Sequence, residues 1–217
     1  MVHHADYTNF SSSTSTSATS ETKRETLQQL LDAYTALETP YLISNLSNCA
    51  SLLWHAYHSL GINVNWTGFY TSENYHQINH TSQHKTNSNS NSNNSTNSST
   101  TPELLLGPFQ GKVACQSIKW GQGVCGTAAA TAQSQVVSDI NKFPGHIACD
   151  GETKSEIVVP IILHHQRQTD NGNNKGTDDG DTVVGVIDLD CLDLAGFDET
   201  DREYLEQLAA LLSKSFL

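Results

Sequence analysis

Apolar residues recur along this chain in a few separated runs, and between them lie stretches with scarcely an apolar side chain. The first run has a helical period. Leu27, Leu30, Leu31 and Tyr34 share one face, and Thr22-Lys23-Arg24-Glu25 before them has the form of a capping box, so a helix is expected from there to about Leu37. Thr39-Pro40 then offers a capping residue and a first-position proline for a second helix. Its stripe runs Leu42, Leu46, Cys49, Ala50, Leu53, Tyr57 and Leu60 and closes at Gly61. Cys49, in the middle of that stripe, reads as a small, inert core thiol.

The period next changes to two. Ile62 to Tyr70 (INVNWTGFY) predicts a strand with Val64, Trp66 and Tyr70 on one face, as core or as pocket wall. Leu104 to Leu106 and Lys112 to Ile118 read as two strands joined by GPFQG, with Val113 and Cys115 pointing the same way. Gln135 to Ile140 and Ser155 to Leu163 are further strands, the second buried, and Val183 to Cys191 is another. In it Asp188 and Asp190 lie two apart, so both carboxylates leave the face shared by Val184 and Val186, with Cys191 on the opposite one. Two acids beside buried valines are costly unless a cation answers them, which marks a pocket. Phe197-Asp198-Glu199-Thr200 opens a last helix that turns Tyr204, Leu205, Leu208, Leu211 and Leu212 to the core. This order predicts an α+β fold, a central antiparallel sheet with the N- and C-terminal helices packed on one face.

The polar stretches set the domain plan. Thr8 to Ser20 is almost all Ser and Thr, and Thr81 to Thr101 is mostly Asn and Ser. Neither buries enough apolar surface to offset an ordering entropy of roughly 1 to 2 kcal/mol per residue. We therefore expect a disordered tail over 1–21 and a single domain over 22–217, with polar insertions at 73–103 and 165–182. The formal charge of -12, with Lys and Arg totalling 11, sets nucleic acid aside as a partner. No apolar stretch approaches the roughly 20 residues of a membrane span, and MVHHADYTNF lacks the order of a signal peptide. The expectation is a soluble, cytoplasmic protein with no membrane partner, the nucleus being open to it as well.

The chemistry concentrates between Leu104 and Pro160, where Cys115, Cys125 and Cys149 lie among glycines with Glu156 shortly after. A redox thiol needs an attacking cysteine and a second one able to reach it, and two such partners are available. Gly121, Gly123 and Gly126 in WGQGVCG spell a dinucleotide fingerprint. Asp139 comes too early for the ribose acid and no parallel crossover follows, so the stretch reads as a turn into a short helix, VCGTAAATA. The first amides of that helix suit an anion, and its dipole is expected to lower the pKa of Cys125. A metal site from His146, Cys149, Cys115 and Cys125 is the other chemistry on offer, but it lacks a Cys-x-x-Cys knuckle, and no metal is expected.

The stretches LLLGPFQGKVACQSIKWGQGVCGTAAATAQSQ, NKFPGHIACDGETKSEIVVPI and GVIDLDC…FDETDREYLEQLA closely resemble, in that order, the free methionine-R-sulfoxide reductases, a catalytic branch of the GAF-domain fold. The resemblance implies reduction of free methionine R-sulfoxide with thioredoxin as recycling reductant and no cofactor. It implies Cys149 as nucleophile passing through a sulfenic acid, Cys115 as principal resolving cysteine in a Cys115–Cys149 disulfide, and Cys125 as an auxiliary thiol. Glu156, Asp188 and Asp190 correspond to substrate-binding or catalytic acids, and Trp66 and Tyr70 to the aromatic wall. The resemblance also suggests a homodimer, for which exposed apolar faces on the terminal helices would serve. The competing interpretation is a non-catalytic GAF-type sensor of a small molecule, which has no need of three cysteines at these positions.

Overall fold

The structure, a computed structural model, describes residues 19–75, 102–145, 150–164 and 180–217. Helix α1 spans Ser20–Leu37, and its N-cap is Thr19, whose hydroxyl accepts from the Thr22 amide at 3.2 Å. The cap thus stands three residues before the box expected at Thr22, and Ser20 and Glu21 belong to the helix rather than to a tail. Helix α2 spans Leu42–Ser59 and likewise departs from its expected start. The Asn45 side chain accepts from the Thr39 amide and donates to the Thr39 carbonyl, which folds 39–41 into a turn outside the helix.

Strands β1 (Val64–Ser72), β2 (Glu103–Gly111), β3 (Ser117–Lys119), β4 (Gln135–Val137), β5 (Ser155–Leu163) and β6 (Thr182–Cys191) form one sheet among the described residues, in the order β3-β2-β1-β6-β5-β4. Every pairing is antiparallel. Helix α3 (Gly123–Thr131) covers one face, α2 and α4 (Glu199–Leu212) cover the other, and α1 packs on α2 and α4. This is the expected α+β architecture.

GPFQG is not a loop. It continues β2, which pairs with β1 from Leu104 to Gly111, while β3 reaches only Glu103–Leu105, so Pro108 lies beyond the ladder that its missing N–H would interrupt. Lys112 to Gln116 is irregular connection rather than strand, and Val113 is exposed. The expected strand over 135–140 stops at Val137, and Ile140 begins a short 3-10 turn.

Two bulges correct the face assignments. Val64 pairs with Cys191 and Trp66 with Asp190, so Asn65 is extra and Val64 turns to the helix-side core. Ile161 pairs with Gly185 and Ile162 with Val183, which turns Val184 to that same side and leaves Val186 with the aspartates. The helix-side core holds Leu53, Tyr57, Phe69, Ile187, Leu189 and Leu208, with Cys49 and Cys191 fully buried among them. The three helices are also tied by charge. Lys23 on α1 lies 2.5 Å from the buried Asp201 of α4, which takes the Tyr57 hydroxyl of α2 at 3.0 Å.

Strands β5 and β6 pair out to Leu163 and Thr182, so the second polar insertion is the connection of a hairpin; its residues 165–179, like 1–18 and 76–101, lie outside the described ones. No described helix is long and apolar enough to cross a membrane.

Candidate functional site

Strands β1, β6 and β5 carry the site in successive rungs on the face under α3. Asp190 pairs with Trp66 on one side and Glu156 on the other, and Asp188 stands between Gly68 and Val158. Val186 follows between Tyr70 and Pro160. Because side chains on alternate residues share a face, this register sets two aromatic rings beside three carboxyls. They line one cavity with Cys125, Ile118 and the first residues of α3.

The aromatic wall is itself anchored. Trp66 is stacked between Tyr70 at 5.8 Å and Phe109 at 5.4 Å. Its indole N–H donates to the Lys112 carbonyl at 3.1 Å, and the Tyr70 hydroxyl donates to the Cys115 carbonyl at 3.1 Å. These bonds hold the irregular segment that bears Cys115 against the rim. Lys112 then spans to the segment after Cys149, with ion pairs to Asp150 at 3.3 Å and Glu152 at 2.5 Å.

Cys115 is disulfide-bonded, whereas Cys49, Cys125 and Cys191 carry free thiols. Cys149 and His146 lie outside the described residues. The disulfide withholds Cys115 from the alternative four-residue metal set.

Cys125 sits in the first turn of α3, as expected, but its thiol is not activated. Burial, reinforced by the charges of Asp188 and Glu156, pushes its pKa well up, which outweighs the helix dipole. Its Sγ is 3.9 Å from Glu156 Oε1. Burial likewise raises Glu156 well above the usual carboxyl range, with the neighbouring charge of Asp188 adding to it. Asp188 is raised to about 7 by burial, and Asp190 is raised by burial and then by Asp188. Asp188 Oδ1 is buried with no hydrogen-bond partner among the described residues. A buried carboxyl oxygen left without a partner is arranged for a cationic or proton-bearing visitor. Gly123, Val124 and Cys125 of α3 line the same cavity, and the first amides of a helix, which have no acceptor within it, suit a carboxylate.

Phe109 escapes notice in the sequence because GPFQG reads as a loop, and so do the flanking residues Gln122, Asp150 and Thr153. Asp150 carries a weak signal in its place directly after Cys149. Nothing in the spacing points to Phe109.

A GAF domain family model matches residues 24–216. A curated free methionine-R-sulfoxide reductase of Saccharomyces cerevisiae is 48% identical over 215 residues, covering 98% of this chain and 94% of that one. One of Escherichia coli is 34% identical over 188 residues, covering 87% and 85%. Among solved structures, the free methionine-R-sulfoxide reductase of Neisseria meningitidis in complex with its substrate superposes with a TM-score of 0.63 at 33% identity, covering 94% of this chain and 93% of that one.

Proposed function

The chain belongs to the GAF domain family and, within it, to the free methionine-R-sulfoxide reductases, and we propose that it reduces free methionine (R)-S-oxide to methionine, with Cys149 as nucleophile, Cys115 as resolving thiol and thioredoxin as reductant. The observation that carries the proposal is the disulfide at Cys115, held by Tyr70 at the rim of a cavity floored with protonatable acids. Since three of the five cysteines are free, Cys149 is its proposed partner.

The chemistry follows from the charges. A sulfoxide is a poor electrophile until its oxygen is protonated, and Glu156, kept neutral by burial, is the proposed acid. Cys149 attacks the activated sulfur; in the net step the oxygen passes to Cys149 as a sulfenic acid and methionine leaves. The Cys115 thiol then attacks the sulfenic sulfur, water departs, and a disulfide remains. Thioredoxin restores both thiols with two electrons and two protons, which places the cycle in a reducing compartment such as the cytoplasm. Cys125 stands by as an auxiliary thiol. Asp188 and Asp190 take the substrate ammonium, the first amides of α3 its carboxylate, and Trp66 and Tyr70 the methyl and sulfur. A pocket that answers both charged ends favours the free amino acid over a peptide-bound residue. The proposed homodimer has exposed apolar side chains to draw on at Tyr41 and Ile43, where α2 begins.

The test is NADPH consumption with thioredoxin and thioredoxin reductase, offering the free R epimer, the free S epimer and a peptide-bound sulfoxide in parallel. Turnover of the free R form alone is expected, abolished by Cys149→Ser and limited to about a single turnover by Cys115→Ser unless Cys125 substitutes as the resolving thiol. No turnover of any of them by reduced, folded protein would leave only a ligand-binding role.

A further inference from the structure

We propose that the cavity floor is also a site for a thiophilic divalent cation such as Zn²⁺, held by Cys125, Glu156 and Asp188, and that the cation competes with the substrate ammonium. One ligand atom from each of these three buried residues lies within 4.8 Å of the other two. A tetrahedral zinc, with Zn–S about 2.3 Å and Zn–O about 2.0 Å, sets its sulfur and oxygen ligands about 3.5 Å apart. Cys125 Sγ and Glu156 Oε1 stand at 3.9 Å, a gap that a small side-chain rotation closes. The independent sign of a ligand is Asp188. Its side chain lines the cavity, the residue is only 6% exposed, and Oδ1 is buried without a partner among the described residues.

The donor set selects the class of ion. A single thiolate with two carboxylates suits zinc or cadmium, whereas magnesium and calcium call for oxygen alone. No redox change is involved. The Cys125 sulfur–hydrogen bond breaks, as do the oxygen–hydrogen bonds of Glu156 and of Asp188 where they are protonated, the protons go to solvent, and one sulfur–metal and two oxygen–metal bonds form; the fourth position takes water. Cys125 is free while Cys115 is disulfide-bonded, so this site persists when the proposed resolving cysteine is out of reach as a ligand. The cation site needs none of the proposed turnover, and only its competition with the sulfoxide rests on that function.

The experiment is a cadmium titration of the full chain with Cys115 in its disulfide, followed by thiolate-to-cadmium charge-transfer absorption. Cys49 and Cys191 are sealed in the helix-side core, which leaves Cys125 as the accessible described thiol. Saturation at a single equivalent is expected, with the band lost in Cys125→Ser. Asp188→Asn keeps the thiol and should weaken binding by at least the roughly tenfold that loss of an outer-shell partner costs. Absence of the band in the unmodified protein overturns the proposal, as does an unchanged titration in either folded variant. Excess free methionine sulfoxide should suppress the band. A band that resists the sulfoxide yet responds to both substitutions counts against the substrate assignment and supports the cation site. Sulfoxide turnover, assayed separately in chelator, tests the enzymatic function independently of the cation.

Discussion

Tyr70 donates its phenolic hydrogen to the main-chain carbonyl of Cys115 across 3.1 Å. Burial pushes the phenol's pKa far up, so it remains a donor at any working pH. The aromatic wall and the cysteine-bearing rim are therefore one mechanical unit. Tyr70→Phe keeps the ring and removes the bond, a change worth about 1 kcal/mol. Rapid-quench thiol counting after one equivalent of sulfoxide should find disulfide formation slowed about fivefold with methionine release unchanged. Slower methionine release with normal disulfide formation would show that the Tyr70 hydroxyl, and not only its ring, serves the substrate.

The acid cluster predicts an inverted pH dependence for the empty, metal-free protein. In the unfolded chain Asp188 ionises near its ordinary 3.8, whereas in the fold burial holds it at about 7. Between those values the folded state keeps a proton that the unfolded state has released, so this stability is complete below the lower value and is lost as pH rises through the upper one. Glu156 and Asp190 are shifted in the same direction. Asp188→Asn removes its own cost and the charge that raises the other two. Urea unfolding in chelator should find the variant more stable than the parent at pH 8, by on the order of a few kcal/mol, with the difference shrinking toward pH 4. A parent at least as stable as the variant at pH 8 would show that the carboxyls ionise in the fold without penalty.

Much of this arrangement is legible in the residues, and the exceptions share a cause. Periodicity finds α2, β5 and α4 because each buries a regular stripe, and the two-residue step from Asp188 to Asp190 announces a pocket because acids seldom border a valine face. Val64 and Val184 are misplaced because a bulge inserts a residue and inverts the alternation locally, and pairing partners distant in sequence decide where it falls. The Cys125 pKa is misjudged for a similar reason. A helix N-terminus is local and visible, whereas the burial that raises the thiol, and then the charges of Asp188 and Glu156, come only from the tertiary fold.

Gly68 lies on the pocket face between Trp66 and Tyr70, and its lack of a side chain lets the rings pack. A Cβ there would stand 2.5 Å from Phe109 Cβ and 2.6 Å from the far edge of the Trp66 indole. The Phe109 contact lies next to the backbone and cannot swing away, so either β1 and β2 part or the indole leaves its stack. Gly68→Ala should cost about 1–3 kcal/mol in chemical denaturation. It should also raise KM for the sulfoxide, since the indole is the wall that moves. Unchanged stability and KM would mean that the sheet absorbs a methyl group without disturbing the aromatic stack.

The Asn/Ser-rich insertion offers the opposite expectation, a large deletion with little effect. Ser72 pairs with Leu104, so the ladder itself brings together the two ends of the connection between β1 and β2. Tyr75, near the start of that connection, packs edge-on against Phe216 at 4.8 Å, an anchor that does not depend on residues 81–101. Removing residues 81–101 leaves nine residues, 73–80 and Pro102, to join β1 to β2, longer than a tight hairpin loop but below the roughly 12–15 residues above which loops without structure of their own become uncommon. Loop closure favours the shorter chain by about 1 kcal/mol, because its cost grows only with the logarithm of length. The deletion should therefore melt at or slightly above the parent temperature and keep turnover within about twofold, as the described lining of the cavity comes mainly from β1, β5, β6 and the residues around α3. A melting temperature many degrees lower would show that the segment packs on the domain, and a normal melt with lost turnover would show that it serves the site.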